Sequence, residues 1–525
     1  MGRPKKAIDM RIGIDVGGTH TDAVILDGDE VISATKALTS ANVVSGITDA
    51  LDTLLKDGAI SQNKIKTVMI GTTQFTNAIV QRRELSPVAA VRIGLPSGRG
   101  IPPMVDWPDD IRGAMGEHIY LLHGGYLYDG FPVADIRDDE VDALIKDLVK
   151  KRIKNVAIAS AFSPMNAQPE KIVGEKIKAA IPNARVTLSY NFGRLGLMER
   201  ENAAIMNATL LPFADKVVSS FLDALKNRGL NCPAFISQND GTLMSADFVR
   251  AYPALTFASG PTNSLRGAYK LTGLKDAIVV DIGGTTSDIG VLQGGFPRES
   301  NVVIEIGGVR TNFRMPDITA VGLGGGSLVL DGGKTIGPLS VGHKLVSEGL
   351  VFGGKTLTTT DILVASGGAK IGDVSKINDV PKATVDAATA TMHAMLDQNI
   401  EMMKPGGKDM PVILVGGGAV LVTQGLKAAS QLQRPENAGV ANAIGAAIAQ
   451  IGAEAERIIS YRETPREEAL KLITQVATER AFRAGADIAT IKAVDIEETS
   501  IPYMDEGATR VRVKVIGDLS VGDMS

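Results

Sequence analysis

"IGIDVGGTHTDAVIL" occupies residues 12–26, and "VVDIGGTTSDIGVL" returns at residues 279–292. Asp15, Gly17, Gly18, Thr19, Asp22 and Leu26 fall on Asp281, Gly283, Gly284, Thr285, Asp288 and Leu292 at one constant offset. Two buried strands can share apolar residues by chance, but here glycines, hydroxyls and carboxylates recur in the same order. The repeat therefore predicts two related halves facing one site. Each copy reads as strand, turn, strand. Glycines let backbone N–H groups point at phosphate oxygens, and threonine hydroxyls add neutral donors. Two such hairpins can clamp a polyphosphate from both sides, with Asp15 and Asp281 at their strand ends holding hydrated magnesium, a hard cation suited to carboxylates and water. Either copy alone could be a tight turn capped by Asp and Thr. The pair together resists that reading.

A third glycine element, "VILVGGGAVL" at residues 412–421, ends an apolar strand in Gly416, Gly417 and Gly418, where bare backbone can approach a flat adenine or a ribose. The three elements in this order resemble the sugar-kinase, heat-shock chaperone and actin superfamily. That resemblance implies an α/β, actin-like ATPase fold: two related ribonuclease-H-like halves around a nucleotide cleft. "GLVFGGKT" at 349–356 satisfies the P-loop pattern formally. It lacks a buried strand before it, and the β-branched "LTTTD" after it is a poor helix start, so no P-loop is expected there.

The rest of the chain excludes several classes. With 525 residues, 44% of them hydrophobic, full cores can form. A net charge of −4 and a pI near 5.9 give no general attraction to nucleic acid or to anionic membranes. Cys232 is the single cysteine, which rules out an intrachain disulfide or a multi-cysteine zinc site and fits a reducing cytoplasm. The basic start lacks a signal peptide's apolar segment, and no run approaches the ~20 apolar residues of a membrane span, so a cytoplasmic location is expected. Five dispersed histidines offer no readable metal centre.

Periodicity divides the chain into a first half at 10–187, a second at 188–454 and a small C-terminal α/β appendage at 455–525. The first half opens with a β-meander, then a helix closing at Gly58, then the strand "KTVMIG" leading into the helix "TTQFTNAIVQRRE". Alternating helices and strands fill 141–190. A long helical stretch interrupted by Pro212 bridges to the second half, whose final helix is read over "ANAIGAAIAQIGAEAERII", 441–459. In the appendage, 465–482 reads as helix, and "TIKAVDIEE" and "TRVRVKVIGDL" read as strands.

Further stretches narrow the superfamily: "IGTTQFTNAIVQRR" (70–83), "RLGLMERENAAIMNATLLP" (194–212), "SQNDGTLMS" (237–245), "FASGPTNSLRGA" (257–268), "DITAVGLGGGS" (317–327) and "LTTTDILVASGG" (357–368). Together they resemble the hydantoinase/oxoprolinase family, specifically its ATP-binding A subunit. The resemblance implies that ATP activates the carbonyl oxygen of a cyclic amide such as hydantoin or 5-oxoproline, and that a companion B-type subunit carries the metal-assisted hydrolysis within an oligomer. It also implies phosphate contacts from Gly17, Gly18, Thr19, Thr21, Gly283, Gly284, Thr285 and Thr286, and magnesium on Asp15 and Asp281. Gly324, Gly325 and Gly326 are expected beside the nucleotide, and Asp317 as a further cleft carboxylate. Thr72, Thr73 and Asn77 are candidates to orient the γ-phosphate or substrate carbonyl, although paired threonines before a helix are also an ordinary N-cap. For Asp22 and Asp288, turn capping and a catalytic role both stand open. The chain departs from the family's pattern at Thr262–Asn263, where alanines are common, and at His20, where phenylalanine is more usual. Those differences bear on substrate more than on nucleotide. Two other functions compete: the ATP-using subunit of an acetone- or acetophenone-type carboxylase, and a non-catalytic ATP-dependent module that binds a partner.

Overall fold

The computed structural model describes residues 10–17, 20–38, 43–57, 60–127, 130–192, 196–300, 304–501 and 508–520. Gly18, Thr19 and Gly58 lie outside the described residues.

Both copies of the repeated motif fold the same way. Met10–Val16 pairs antiparallel with His20–Asp27, which pairs antiparallel with Glu30–Leu38; on its other side Met10–Val16 runs parallel to Ile65–Thr72, followed by Ala234–Ser237. Numbering those five strands along the chain gives the spatial order 3-2-1-4-5. In the second unit Phe296–Pro297, Ser287–Gln293, Ala277–Ile282, Val412–Val415 and Leu432–Gln433 repeat that order, with the same antiparallel meander and parallel neighbours. Two meander-plus-parallel sheets facing one cleft constitute the α/β, actin-like ATPase architecture. Their apolar alternation builds separate cores, one around Ile12, Ile14 and Ile70, the other around Ile278, Val280 and Leu414.

Two helices lie between the sheets. Ser259–Thr272 and Ala441–Ile448 touch backbone to backbone: a Cβ on Gly267 would stand 1.8 Å from the Ala441 carbonyl oxygen, and one on Gly445 1.8 Å from that of Asn263. Only glycine permits this approach.

The sheets are not divided at residues 187 and 454. A four-stranded parallel sheet with its own core, His118–His123, Val88–Leu95, Asn155–Ser160 and Arg185–Leu188, is inserted within the first unit's chain. Leu243–Ser245, Ile451–Ser460 and the C-terminal strands Ala508–Gly517 and Lys492–Ser500 extend the first unit's sheet from five strands to nine. The helix expected over 441–459 therefore ends at Ile448, and its second half is the strand Ile451–Ser460. Pairing of ten residues with Ala508–Gly517 outweighs the helix propensity of "GAEAERI". Leu197–Lys226 runs unbroken through Pro212; near it the Thr209 carbonyl accepts from the Ser86 N–H at 3.1 Å, so one backbone acceptor beside the proline is satisfied from outside the helix. No helix among the described residues is long and apolar enough to cross a membrane.

Candidate nucleotide cleft

The antiparallel register sets Asp15 opposite Asp22 and Asp281 opposite Asp288, and both turns close with the same bond: Gly17 N–H to the His20 carbonyl at 3.0 Å, Gly283 N–H to the Thr286 carbonyl at 2.9 Å. The sequence repeat is thus a repeat in three dimensions. All four carboxylates line one cleft of about 450 Å3 between the units. Gly17, Gly283, Gly284, Thr285, Gly325 and the Gly416–Gly418 turn form its backbone walls.

The two inter-sheet helices supply the polar contacts to the first pair. Asn263 Nδ2 donates to Asp15 Oδ1 at 3.0 Å, while Asn442 Nδ2 donates to Asp15 Oδ2 at 3.1 Å and to Asp22 Oδ2 at 2.8 Å. Lys36 pairs with Asp22, and the Ser264 hydroxyl donates to Asp281. Burial, followed by the charges of Asp22 and Asp281, raises the Asp15 carboxyl to about 6 despite the two amide donors. Asp281 is also raised, chiefly by burial, and Asp288 is pushed to about 7 by burial and then by Asp281. Burial, then the Lys36 ammonium, holds His20 below its ordinary value.

These shifts test the fit of a cation. Burial is the chief cause of each shift, the neighbouring carboxylates add to it and Lys36 offsets part of it at Asp281, so a divalent cation carried by phosphates would bring further counter-charge to the site. Gly416, with φ +83°, presses its bare Cα against the second pair: a Cβ there would meet Asp281 Oδ1 at 2.2 Å. The site therefore fits a hydrated magnesium carried by phosphates. Among the described residues no group of three or more His, Cys, Asp or Glu side chains could hold a metal without such help.

Other expected residues sort unevenly. Gly324 packs on the second turn, where a Cβ would stand 2.5 Å from the Thr285 nitrogen; Gly325 and Gly326 N–H groups bond the Gly283 and Gly284 carbonyls at 3.0 and 2.7 Å. This loop braces the hairpin, and only Gly325 of the three reaches the cleft wall. Thr21 is fully buried within its strand, and Thr286 is exposed outside the wall, so neither joins Thr285. Thr73, not Thr72, lines the cleft; its hydroxyl accepts from Asn77 at 3.3 Å, and the Thr72 carbonyl accepts from Ser259. Asp317 is no cleft carboxylate. Arg298 grips its Oδ2 at 2.6 and 3.1 Å, just ahead of the strand Ile318–Val321, and it does not line the cleft. The formal P-loop segment forms short turns, and the helix after it, Thr359–Ala365, is capped by its own Thr358–Asp361 box. Its Phe352 nevertheless joins Leu345, Ile371 and Val420 in an apolar wall suited to a nucleobase.

Sequence reasoning missed Lys36, Ser264 and Asn442, and took Asn263 only as a departure. The readable signal was an asparagine about one turn ahead of a glycine in each of two helices, Asn263 before Gly267 and Asn442 before Gly445.

Residues 11–181 match the hydantoinase/oxoprolinase N-terminal region, and residues 200–371 match hydantoinase/oxoprolinase. The caprolactamase subunit alpha of Pseudomonas jessenii is 24% identical over 431 residues, covering 75% of this chain and 60% of that one. The acetophenone carboxylase gamma subunit of Aromatoleum aromaticum is 26% identical over 397 residues, covering 68% and 53%. This chain thus spans about three fifths or less of those curated relatives. The crystal structure of the ATP-dependent caprolactamase from Pseudomonas jessenii superposes with a TM-score of 0.75 at 18% identity, over 97% of this chain and 88% of that one. With the repeated aspartate–glycine turns, the matched regions and this shared fold all in hand, the chain belongs to the hydantoinase/oxoprolinase family.

Proposed function

We propose that this protein binds magnesium-ATP between its two units and uses it to activate the carbonyl of a cyclic amide, which is then opened by water with a companion subunit. The observation that carries this is the placement of Asp15 and Asp281 at equivalent strand ends in one cleft, each beside a glycine turn. Magnesium, held by Asp15 and Asp281, would neutralise phosphate charge. The chain's own residues do the rest. Backbone N–H groups of the turns cradle phosphates, Lys36 brings a cation, and the apolar wall around Phe352 takes the base. Asp288, protonated near neutral pH in the absence of ligand, is placed to hold or pass a proton at its carboxyl. A ring amide is a poor electrophile, and phosphoryl transfer supplies both activation and driving force.

A second reading is favoured by the similarity to a carboxylase subunit: the same cleft would activate a ketone enolate or bicarbonate. One experiment separates the readings. Purified protein with its copurified partner is supplied with Mg-ATP and a panel of hydantoin, 5-oxoproline, larger lactams and ketones, and ADP release is followed. Release stimulated by ring amides, and lost in Asp15→Ala and Asp281→Ala, is the expected result. Stimulation by ketones with bicarbonate alone selects the carboxylase, and release indifferent to the panel defeats both.

A further inference from the structure

A cavity of about 440 Å3 shares no lining residue with the nucleotide cleft. It lies outside the carboxyl ends of two neighbouring parallel strands of the inserted sheet: the loop 163–168 follows Asn155–Ser160, and Tyr190 and Asn191 follow Arg185–Leu188. Ligands of open parallel sheets lie at that edge. The facing wall comes from the C-terminal part of the chain. Helix Arg466–Arg483 turns Val476, Glu479, Arg480 and Arg483, spaced as one helical face, into the cavity, and strand Ile451–Ser460 adds Glu456 and Arg457. Phe248, Tyr252 and Leu255 make an apolar floor.

The charges around this space do not balance. Lys171, Arg457, Arg480 and Arg483 face only two carboxylates, and one of these, Glu456, is held by Arg314 at 3.0 Å. None of the four cations makes an ion pair among the described residues: Lys171 stands 5.5 Å from the Tyr190 ring centre, and Arg457 donates to the Pro164 carbonyl at 3.5 Å.

Arg480 is the cation at depth. Its Nη1 donates to the Glu454 carbonyl at 2.9 Å, while Nε and Nη2 have no hydrogen-bond partner among the described residues and are not sealed from solvent. Those two nitrogens form the edge of a guanidinium that takes two oxygens of one group. Elsewhere in this chain a carboxylate fills it: Arg228 grips Asp52 by the same edge at 2.7 and 2.8 Å. Burial, partly offset by Tyr252, Glu454 and Tyr190, holds the Arg480 guanidinium below its ordinary value, and the charge of Arg457 pushes the same way. Tyr190, Tyr252 and Arg457 line this cavity and not the smaller one that Arg480 also borders, so its open edge faces the larger space. Two guanidiniums held together without a carboxylate suit one group that carries two negative charges. A phosphate monoester is such a group, a dianion above its second pKa of about 6 with three acceptor oxygens.

We propose that this cavity binds a small organic phosphate monoester, its dianionic phosphate on Arg480 and Arg457 and its organic body against Phe248, Tyr252 and Leu255. Calorimetric titration of the full chain in magnesium-free buffer with phenyl phosphate, phenyl sulfate and inorganic phosphate tests it. Phenyl phosphate binds tightest. Phenyl sulfate, the same shape with one charge, and inorganic phosphate, the charge without the body, both bind more weakly. Arg480→Met weakens phenyl phosphate by about tenfold or more, since a charged hydrogen-bonding edge is lost. Arg483→Met, at an exposed position where packing is not at stake, weakens it several-fold. Saturating Mg-ATP leaves the affinity unchanged, because the two sites have no residue in common. Absence of saturable phenyl phosphate binding, unchanged affinity in both variants, or displacement by Mg-ATP overturns the proposal. Phenyl sulfate binding as tightly overturns the dianion, and inorganic phosphate binding as tightly makes free phosphate the ligand and overturns the monoester.

Discussion

Asn263 shows how one residue can tune the cleft. Its amide donates to Asp15 Oδ1 at 3.0 Å, which favours the carboxylate and works against the burial that raises Asp15 to about 6. Asn263→Ala removes that donor, so Asp15 is expected to ionise at still higher pH. Mg-ATP affinity measured at pH 6.5 should then fall several-fold, with a smaller loss at pH 8.5, where the carboxyl ionises in both proteins. Equal losses at both pH values would count against this assignment. Asp288 carries the second prediction. Its folded value, about 7, lies above the ordinary 3.8, so the folded state disfavours its charge. That penalty is fully present above pH 7 and is relieved as pH falls through 7 toward 3.8. The bound is roughly 4 kcal/mol for a shift of about three units. Ligand-free protein should therefore gain thermal stability between pH 8 and pH 6 relative to Asp288→Asn, in which no charge has to be buried.

At the scale of elements, the cleft is held by the contact of Ser259–Thr272 with Ala441–Ile448. Each helix sends one asparagine to Asp15, so their spacing is part of the site. Gly445→Ala puts a methyl group 1.8 Å from the Asn263 carbonyl oxygen, which the backbones can accommodate only by separating. Overpacking of this kind costs about 1–3 kcal/mol. The expected outcome is a lower denaturation midpoint together with weaker Mg-ATP binding, because Asn263 and Asn442 move off Asp15. Gly439→Ala, on the approach to the same helix and with open space around it, should change neither. The C-terminal strands are tied in by charge: Arg314 pairs with Glu299, Glu454 and Glu456 at 3.0, 2.8 and 3.0 Å, and Lys514 with Asp240 at 2.8 Å. Arg314→Met takes a cation from buried Glu456, while Glu299 keeps Arg512 and Lys514 and Glu454 keeps Arg512. Loss of one partner from a buried network costs about 3–5 kcal/mol, readable as a shift of the urea midpoint.

For the whole molecule, what was legible followed the reach of local pattern. The twofold repeat lies in contiguous residues, so Asp15, Asp281 and the glycine turns could be placed from spacing alone. The actin-like architecture followed from their order. Asp317 and the 441–459 helix misled because their fates are decided at long range, by Arg298 and by pairing with Ala508–Gly517. Lys36 escaped notice for the same reason, since its importance lies in spanning the two units. It pairs with Asp22 of the first and stands 3.8 Å from where a Cβ on Gly417 of the second would be. Mg-ATP held between the units should therefore stabilise them as one body. A ligand at a hundred times its dissociation constant adds about 2.7 kcal/mol to a state that alone binds it. Saturating Mg-ATP should raise the unfolding midpoint of the wild-type chain and slow amide exchange in both glycine turns together. In Asp281→Ala both effects should vanish, whereas Lys36→Met should keep part of the stabilisation because Asp15 and Asp281 remain. Protection confined to the first unit's turn would mean that the two halves do not close on one nucleotide.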